Sequence, residues 1–156
     1  MTVLKGFGCK ILICDIEDLS LFARENGLQQ VSLTKLAEES DVLSVHIPKN
    51  STTENIIDEG MLMSMKKGSY IVNSARGGLV DENAVMKLLS SGHLAGAAFD
   101  VLKEEPPLNT DFIHHENVLV TTHIAGSSFE AIYAMGVAAI SGLVENNLAT
   151  AYKKFQ

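Results

Sequence analysis

Five short runs of mainly apolar residues recur along the chain, and polar residues follow each of them. Within a run, apolar and polar positions hardly alternate, a pattern typical of parallel strands that are covered on both faces. A proline at position 48 ends the second run, as expected for a residue that cannot donate to a strand ladder. We therefore predict strands at Lys10–Cys14, Asp41–His46, Ser69–Asn73, Gly96–Phe99 and Val118–Thr121.

Longer segments with helical spacing lie between the predicted strands. Asp81 is placed to cap the segment ENAVMKLLSSG, and Gly92 stands where a C-terminal cap belongs. Ser127 and Glu130 form a capping-box pattern ahead of a long apolar stretch. The alternation of strands and helices predicts an α/β fold with a doubly wound parallel sheet. The helices are predicted at Glu82–Ser91, Phe129 to about Asn147, Ser32–Glu39 and Glu59–Met65.

Polar residues stand at the carboxyl ends of all five predicted strands. Ligands bind at this edge in open α/β sheets, so the pattern predicts a binding site there. Chance rarely delivers a polar residue to one edge from every strand. The residues concerned are Asp15, His46, Ser74 to Arg76, Asp100 and His123.

The composition of the chain argues against several classes of binding partner. The chain has 156 residues and a net charge of −7, which argues against nucleic acid because phosphate contacts need clustered lysine and arginine. No apolar run reaches the roughly 18 residues that span a bilayer, and the first residues do not resemble a signal peptide, so we expect a cytoplasmic protein. The two cysteines, Cys9 and Cys14, are too few for a metal site.

Four segments between Asp41 and Ser128 carry a family resemblance. They are DVLSVHIP, MKKGSYIVNSARGGLVDENAV, GHLAGAAFDVLKEEPP and HENVLVTTHIAGSS. They resemble the nicotinamide-binding domain of the D-isomer-specific 2-hydroxyacid dehydrogenases. Within that family, their sequences are most similar to those of the D-3-phosphoglycerate dehydrogenases. The resemblance implies an NAD-dependent oxidoreductase that acts on a 2-hydroxy acid, with 3-phosphoglycerate as a candidate substrate.

The family's three catalytic roles fall on Arg76, Glu105 and His123. A histidine suits proton removal near neutral pH, as needed when a hydroxyl is oxidised to a ketone. A carboxylate at Glu105 would raise the pKa of that histidine and orient its ring. The Arg76 guanidinium would hold the substrate carboxylate through two hydrogen bonds.

The resemblance also implies contacts with NAD. Asp15 ends a strand where an acid for the adenosine ribose hydroxyls is expected, and an acid there favours NAD over NADP. The other cofactor-binding residues carried over from the family are Ile47, Ser74, Ala75, Asp100, Ala125 and Gly126.

Several of these residues have a second interpretation without catalysis. Arg76 could be a surface arginine ahead of a glycine turn, and His123 could be a core histidine. Glu105 could be a solvated acid with Glu104 as its rival. Asp15 could be a helix N-cap for the following segment, IEDLSLFA.

The sequence departs from the family at its beginning. A complete domain opens with a strand, a G-x-G-x-x-G loop and a helix, and this loop would precede residue 1. The pair Gly6 and Gly8 resembles the end of the first helix instead. We therefore expect an incomplete Rossmann-type sheet over residues 1–150, a tail over 151–156 and no substrate domain.

The missing first strand would leave two strands without a neighbour, the one at Lys10–Cys14 and the one at Asp41–His46. Such edges pair readily with another chain. We expect a homo-oligomer or a complementing chain, and the alternative is an inactive fragment or assembly subunit.

Overall fold

The computed structural model describes residues 2–144, and the chain divides after Val120 into two compact units, Met1–Val120 and Thr121–Gln156. The predicted end of the last helix near Asn147 and the predicted tail at 151–156 both lie outside the described residues. The elements in chain order are α1 Thr2–Gly6, β1 Leu12–Ile13, α2 Ser20–Glu25, β2 Gln29–Gln30, α3 Leu33–Glu39, β3 Val42–Val45, α4 Glu59–Ser64, β4 Ser69–Asn73, α5 Glu82–Ser90, β5 Leu94–Phe99, β6 Val118–Val120 and α6 Phe129–Val144.

The main sheet has four parallel strands in the order β3-β4-β5-β6. It follows the prediction, since each strand lies within or over one of the apolar runs. Right-handed crossovers through helices connect parallel strands of this kind, and α4 and α5 fill that role here. All four carboxyl ends therefore lie at one edge, which is where the polar residues were expected.

The first predicted strand is not in this sheet. Only Leu12–Ile13 is extended, and it pairs with β2, a strand of two glutamines that the apolar pattern did not predict. Two polar residues carry no hydrophobic signal, so this second pair of parallel strands was not predicted. Among the described strands, β1 is hydrogen-bonded to β2 alone and β3 to β4 alone. This agrees with the expectation that each of them has one partner.

One face of the main sheet is covered and the other is exposed. In β3 the pattern alternates, with Leu43 and Val45 buried and Val42 exposed. The covered face packs against α3, α4 and α5 and forms the core. On the other face, Val42, Tyr70 and Leu119 keep about half or more of their surface in solvent. The prediction of cover on both faces is wrong, since short apolar runs do not reveal which side has a partner.

The helix caps follow the sequence signals closely. The Asp81 carboxylate accepts hydrogen bonds from the backbone N–H groups of Asn83 and Ala84, and Gly92 has a left-handed φ of 69° just after α5. Both predictions for α5 are confirmed. In α6 the cap is Ser128 rather than the predicted Ser127, because the Ser128 hydroxyl accepts the hydrogen bond from Ala131 N. Within residues 2–144, no helix is both long and apolar enough to cross a membrane.

Candidate active site

An open cleft of about 750 Å³ lies at the carboxyl ends of β3 and β4. Strand β3 delivers the loop from His46 to Lys49, and strand β4 delivers the turn from Ser74 to Arg76. Four of the residues predicted to bind cofactor or substrate therefore come together: Ile47, Ser74, Ala75 and Arg76. The full lining is His46, Ile47, Pro48, Lys49, Ser74, Ala75 and Arg76.

A buried amide holds the Arg76 turn in place. Asn73 has no exposed surface; its Nδ2 donates to Arg76 O at 3.0 Å, and its Oδ1 accepts from Ala75 N at 3.1 Å. Buried amides of this kind are expensive unless every group is paired, so the pairing fixes the turn. The Arg76 guanidinium is exposed and donates through Nη1 to Ala75 O at 2.6 Å. Sequence reasoning placed Asn73 in a strand and gave it no role.

A second cation, Lys49, lines the same cleft as Arg76. A Cβ built on Gly78 would stand 2.7 Å from Lys49 Nζ, so the ammonium group lies over that glycine. Lys49 was not predicted, although its place directly after the HIP segment was a usable signal. The cleft therefore combines a guanidinium and an ammonium with small and apolar side chains, which suits a small anionic ligand.

Asp100 and Glu105 lie on the loop that follows β5, and neither lines the cleft. Asp100 is buried, and its N–H donates to Asn73 O at 2.9 Å. Glu105 is exposed, and its Oε1 accepts from Leu102 N at 2.8 Å. Its rival Glu104 lines a separate depression of about 440 Å³ and accepts from Leu108 N at 3.4 Å.

Helix α5 holds the loop of Glu105 through Glu82. The Oε1 atom of Glu82 accepts a hydrogen bond of 2.6 Å from Lys103 N. Burial raises the pKa of Glu82, and the negative charges of Asp81 and Glu105 act in the same direction, while the hydrogen bond and the charge of Lys103 oppose them. The sequence alone gave no reason to assign a role to Glu82.

Asp15 follows β1, away from the cleft lining. Its Oδ1 accepts from Glu17 N at 3.0 Å, which closes a turn of the type that aspartate favours. Helix α2 begins only at Ser20, with Leu19 at the N-cap position, so the interpretation of Asp15 as a helix cap is wrong. The carboxylate is exposed. Burial, with a contribution from the Asp15 charge, raises the pKa of the Cys14 thiol.

His123, Ala125 and Gly126 lie together in the second unit. His123 is exposed and has a left-handed φ of 57°, so the interpretation as a core histidine is wrong. Ser127 N donates to Ile124 O at 2.9 Å, which closes a turn around Ala125 and Gly126. A Cβ at Gly126 would meet nothing within 4 Å, so this backbone is open to approach.

Three comparisons relate the chain to known proteins. The family model of the D-isomer specific 2-hydroxyacid dehydrogenase NAD binding domain matches residues 1–125. A glyoxylate reductase of Korarchaeum cryptofilum is 41% identical over 127 residues, which are 81% of this chain and 38% of that protein. A D-3-phosphoglycerate dehydrogenase of Bacillus subtilis is 32% identical over 81% of this chain and 24% of its own length.

Solved structures agree with the family match. The crystal structure of a glyoxylate reductase from Paecilomyes thermophila superposes with a TM-score of 0.84 and 32% identity, over 91% of this chain and 43% of that one. The predicted Rossmann-type α/β fold is therefore confirmed. The chain spans less than half the length of each of these relatives.

Proposed function

The chain belongs to the D-isomer specific 2-hydroxyacid dehydrogenase family, as an NAD-binding domain of it, and from this premise we propose that it serves hydride transfer between NAD and a 2-hydroxy or 2-keto acid. The proposal rests on one observation above all. The cleft at the ends of β3 and β4 holds the Arg76 guanidinium beside the small side chains of Ser74 and Ala75. Such a lining suits a carboxylate ligand and a flat ring.

In this proposal two side chains act on the substrate, and a third acts on one of these two. The Arg76 guanidinium holds the substrate carboxylate, and His123 removes the proton of the C2 hydroxyl. On the family's pattern, Glu105 would orient the ring of that histidine. NAD, when bound, supplies the acceptor for the hydride that leaves C2. We assign Arg76, Glu105 and His123 to these roles on the family's pattern.

The residues present fit one part of NAD better than another. Ile47, Ser74 and Ala75 offer an apolar and small surface to a nicotinamide ring. On the family's pattern, we also assign Asp100, Ala125 and Gly126 to cofactor binding. The exposed Asp15 carboxylate is free of an ion pair with any described residue and suits the ribose hydroxyls. The sequence has no G-x-G-x-x-G segment; Gly6 and Gly8 stand at the end of α1 rather than before a helix.

Lys49 bears on the substrate. Its ammonium beside Gly78 gives the cleft a second cation, and the carboxylate assigned to Arg76 needs only one. We propose a substrate with a second anionic group, of which 3-phosphoglycerate is one candidate. Lys49→Met is expected to weaken a dianionic keto acid about tenfold and a monoanionic one little, in competition binding assays.

A second candidate is a component of a larger assembly. Two observations favour it: the edge strands β1 and β3 each have a single described partner, and Val42, Tyr70 and Leu119 leave one sheet face exposed. A homo-oligomer or a complementing chain would cover these surfaces. In this case the chain holds NAD only together with its partner.

A titration with NADH tests both candidates. The fluorescence of the bound nicotinamide is followed while light scattering records the oligomeric state at each protein concentration. Micromolar affinity, weakened in Arg76→Gln only when a keto acid is added, supports the dehydrogenase. Binding that appears only in an oligomer supports the assembly. Absence of binding at millimolar NADH, in every oligomeric state, contradicts the proposed function.

A further inference from the structure

The two loops that carry Arg76 and Glu105 touch through their backbones. A Cβ built on Gly77 would lie 1.8 Å from Leu102 O, 2.2 Å from Leu102 C and 2.7 Å from Lys103 N. No real Cβ tolerates such distances, so the glycine exists here to let the loops cross. The position of Glu105 relative to Arg76 therefore depends on what holds residues 102 and 103 against Gly77.

Two carboxylates hold this crossing. Glu105 Oε1 accepts from Leu102 N at 2.8 Å, which folds Glu105 back on its own loop. Glu82 Oε1 accepts from Lys103 N at 2.6 Å, which is a side-chain hydrogen bond to the loop from helix α5. Hydrogen bonds to a charged acceptor are among the stronger ones in proteins.

Glu82 projects from a rigid support. It is the first residue of α5, directly after the cap Asp81, and the helix packs on the core through its buried residues. Those residues are Ala84, Val85, Leu88 and Leu89. A support of this kind transmits a fixed position to the loop, because the helix cannot shift without disturbing the core.

The environment of Glu82 disfavours its charged carboxylate, so this residue does not serve the stability of the fold alone. It is partly buried, and Asp81 and Glu105 carry charge of the same sign nearby, while Lys103 provides the opposite charge. Groups kept in such surroundings are frequently functional.

We propose that Glu82 is the positioning residue that sets Glu105 relative to Arg76 across the Gly77 crossing. The proposal rests on the proposed function for the roles of Arg76 and Glu105. Its geometric content stands separately, as a hydrogen bond that orders residues 101–105, and the test addresses this content directly.

The test measures backbone amide exchange by NMR in the full 156-residue chain. In Glu82→Ala, the amides of Leu102 and Lys103 are expected to exchange at least about tenfold faster, since each loses its order when the hydrogen bond from Lys103 is broken. Glu82→Gln keeps an acceptor oxygen and is expected to restore most of the protection. If Glu82→Ala does not fold, Glu82→Asp takes its place, because the shorter side chain keeps the charge and loses the reach.

Glu59→Ala is the matched control. Glu59 is also the first residue of a helix directly after an aspartate cap, and it pairs with Lys87 rather than with a loop. It is expected to leave the two amides unchanged. Unchanged exchange in Glu82→Ala, an equal effect in Glu59→Ala, or no recovery in Glu82→Gln would each overturn the proposal.

A second measurement separates this proposal from the proposed function. With NADH and glyoxylate, Glu82→Ala is expected to lower kcat about tenfold or more with little change in KM, and Glu82→Gln to recover it. Absence of turnover in the unmodified chain speaks against the proposed function alone, since the amide measurement needs neither cofactor nor substrate. A higher KM with an unchanged kcat in Glu82→Ala would contradict the positioning of Glu105.

Discussion

Gly77→Ala tests the loop crossing most directly. The new Cβ would lie 1.8 Å from Leu102 O, whereas ordinary contact begins near 3.4 Å, so the two backbones must separate by about 1.6 Å. Overpacking costs about 1–3 kcal/mol where flexible side chains can adjust. Backbone atoms oppose the methyl group here, so we expect a loss of about 3 kcal/mol in the free energy of unfolding. For a chain of this size, that lowers Tm by about 6–12 °C.

Thermal unfolding followed by circular dichroism measures this loss, with Gly6→Ala as the control. A Cβ at Gly6 meets nothing within 4 Å, and neither Gly6 nor Gly77 has a left-handed φ, so the two variants differ mainly in the clash. Gly6→Ala is expected to shift Tm by no more than about 2 °C. A Gly77→Ala variant that melts with its control would refute the close contact between the loops, and with it the route from Glu82 to Arg76.

Four further predictions follow from the same geometry. Arg76→Lys should lower kcat/KM for a keto acid about a hundredfold, because an ammonium cannot form two parallel hydrogen bonds to a carboxylate; NADH oxidation measures it. Asp15→Ala should weaken NADH and improve NADPH relative to it, in paired fluorescence titrations. Asn73→Ala should cost about 2–3 kcal/mol in urea unfolding, since two backbone groups lose their buried partner. Glu82→Gln should raise Tm at pH 7, with a gain that shrinks as the pH falls to 4. The folded state holds the Glu82 proton more tightly than the unfolded chain, so this group stabilises the fold in acid and loses that contribution as the pH rises through the raised pKa.

The sheet shows how far an apolar pattern leads. Strands β3 to β6 were predicted because each is a short apolar run between turn signals. Strand β2 was not, since Gln29 and Gln30 have no hydrophobic signature and become a strand only through pairing with β1. The exposed face was also missed. A run such as VLSV reads as buried on both sides until Ser44 and Val42 are seen in solvent.

The site also has a part that the sequence predicted and a part that it did not. The carboxyl-end rule was sufficient to bring Ile47 and Ser74 to Arg76 together, because topology alone sets where parallel strands end. The supports of the site were out of reach. The hydrogen bonds of Asn73 and Glu82 join backbone groups whose positions depend on the loops, and Gly77 reads as an ordinary turn residue until Leu102 is placed against it. The catalytic and cofactor roles stay predictions.

The exposed sheet face has a spectroscopic consequence. The ring of Tyr70 lies across Gly96, where its Cδ1 and Cε1 atoms stand 3.1 Å from the place of a Cβ, and about half of the side chain faces solvent. The sequence has no tryptophan and three tyrosines. In a variant that carries Tyr133→Phe and Tyr152→Phe, Tyr70 is the one tyrosine left to emit. Acrylamide quenches this tyrosine fluorescence while the sheet face is exposed. Weaker quenching then indicates that another protein surface covers the sheet, without any added label.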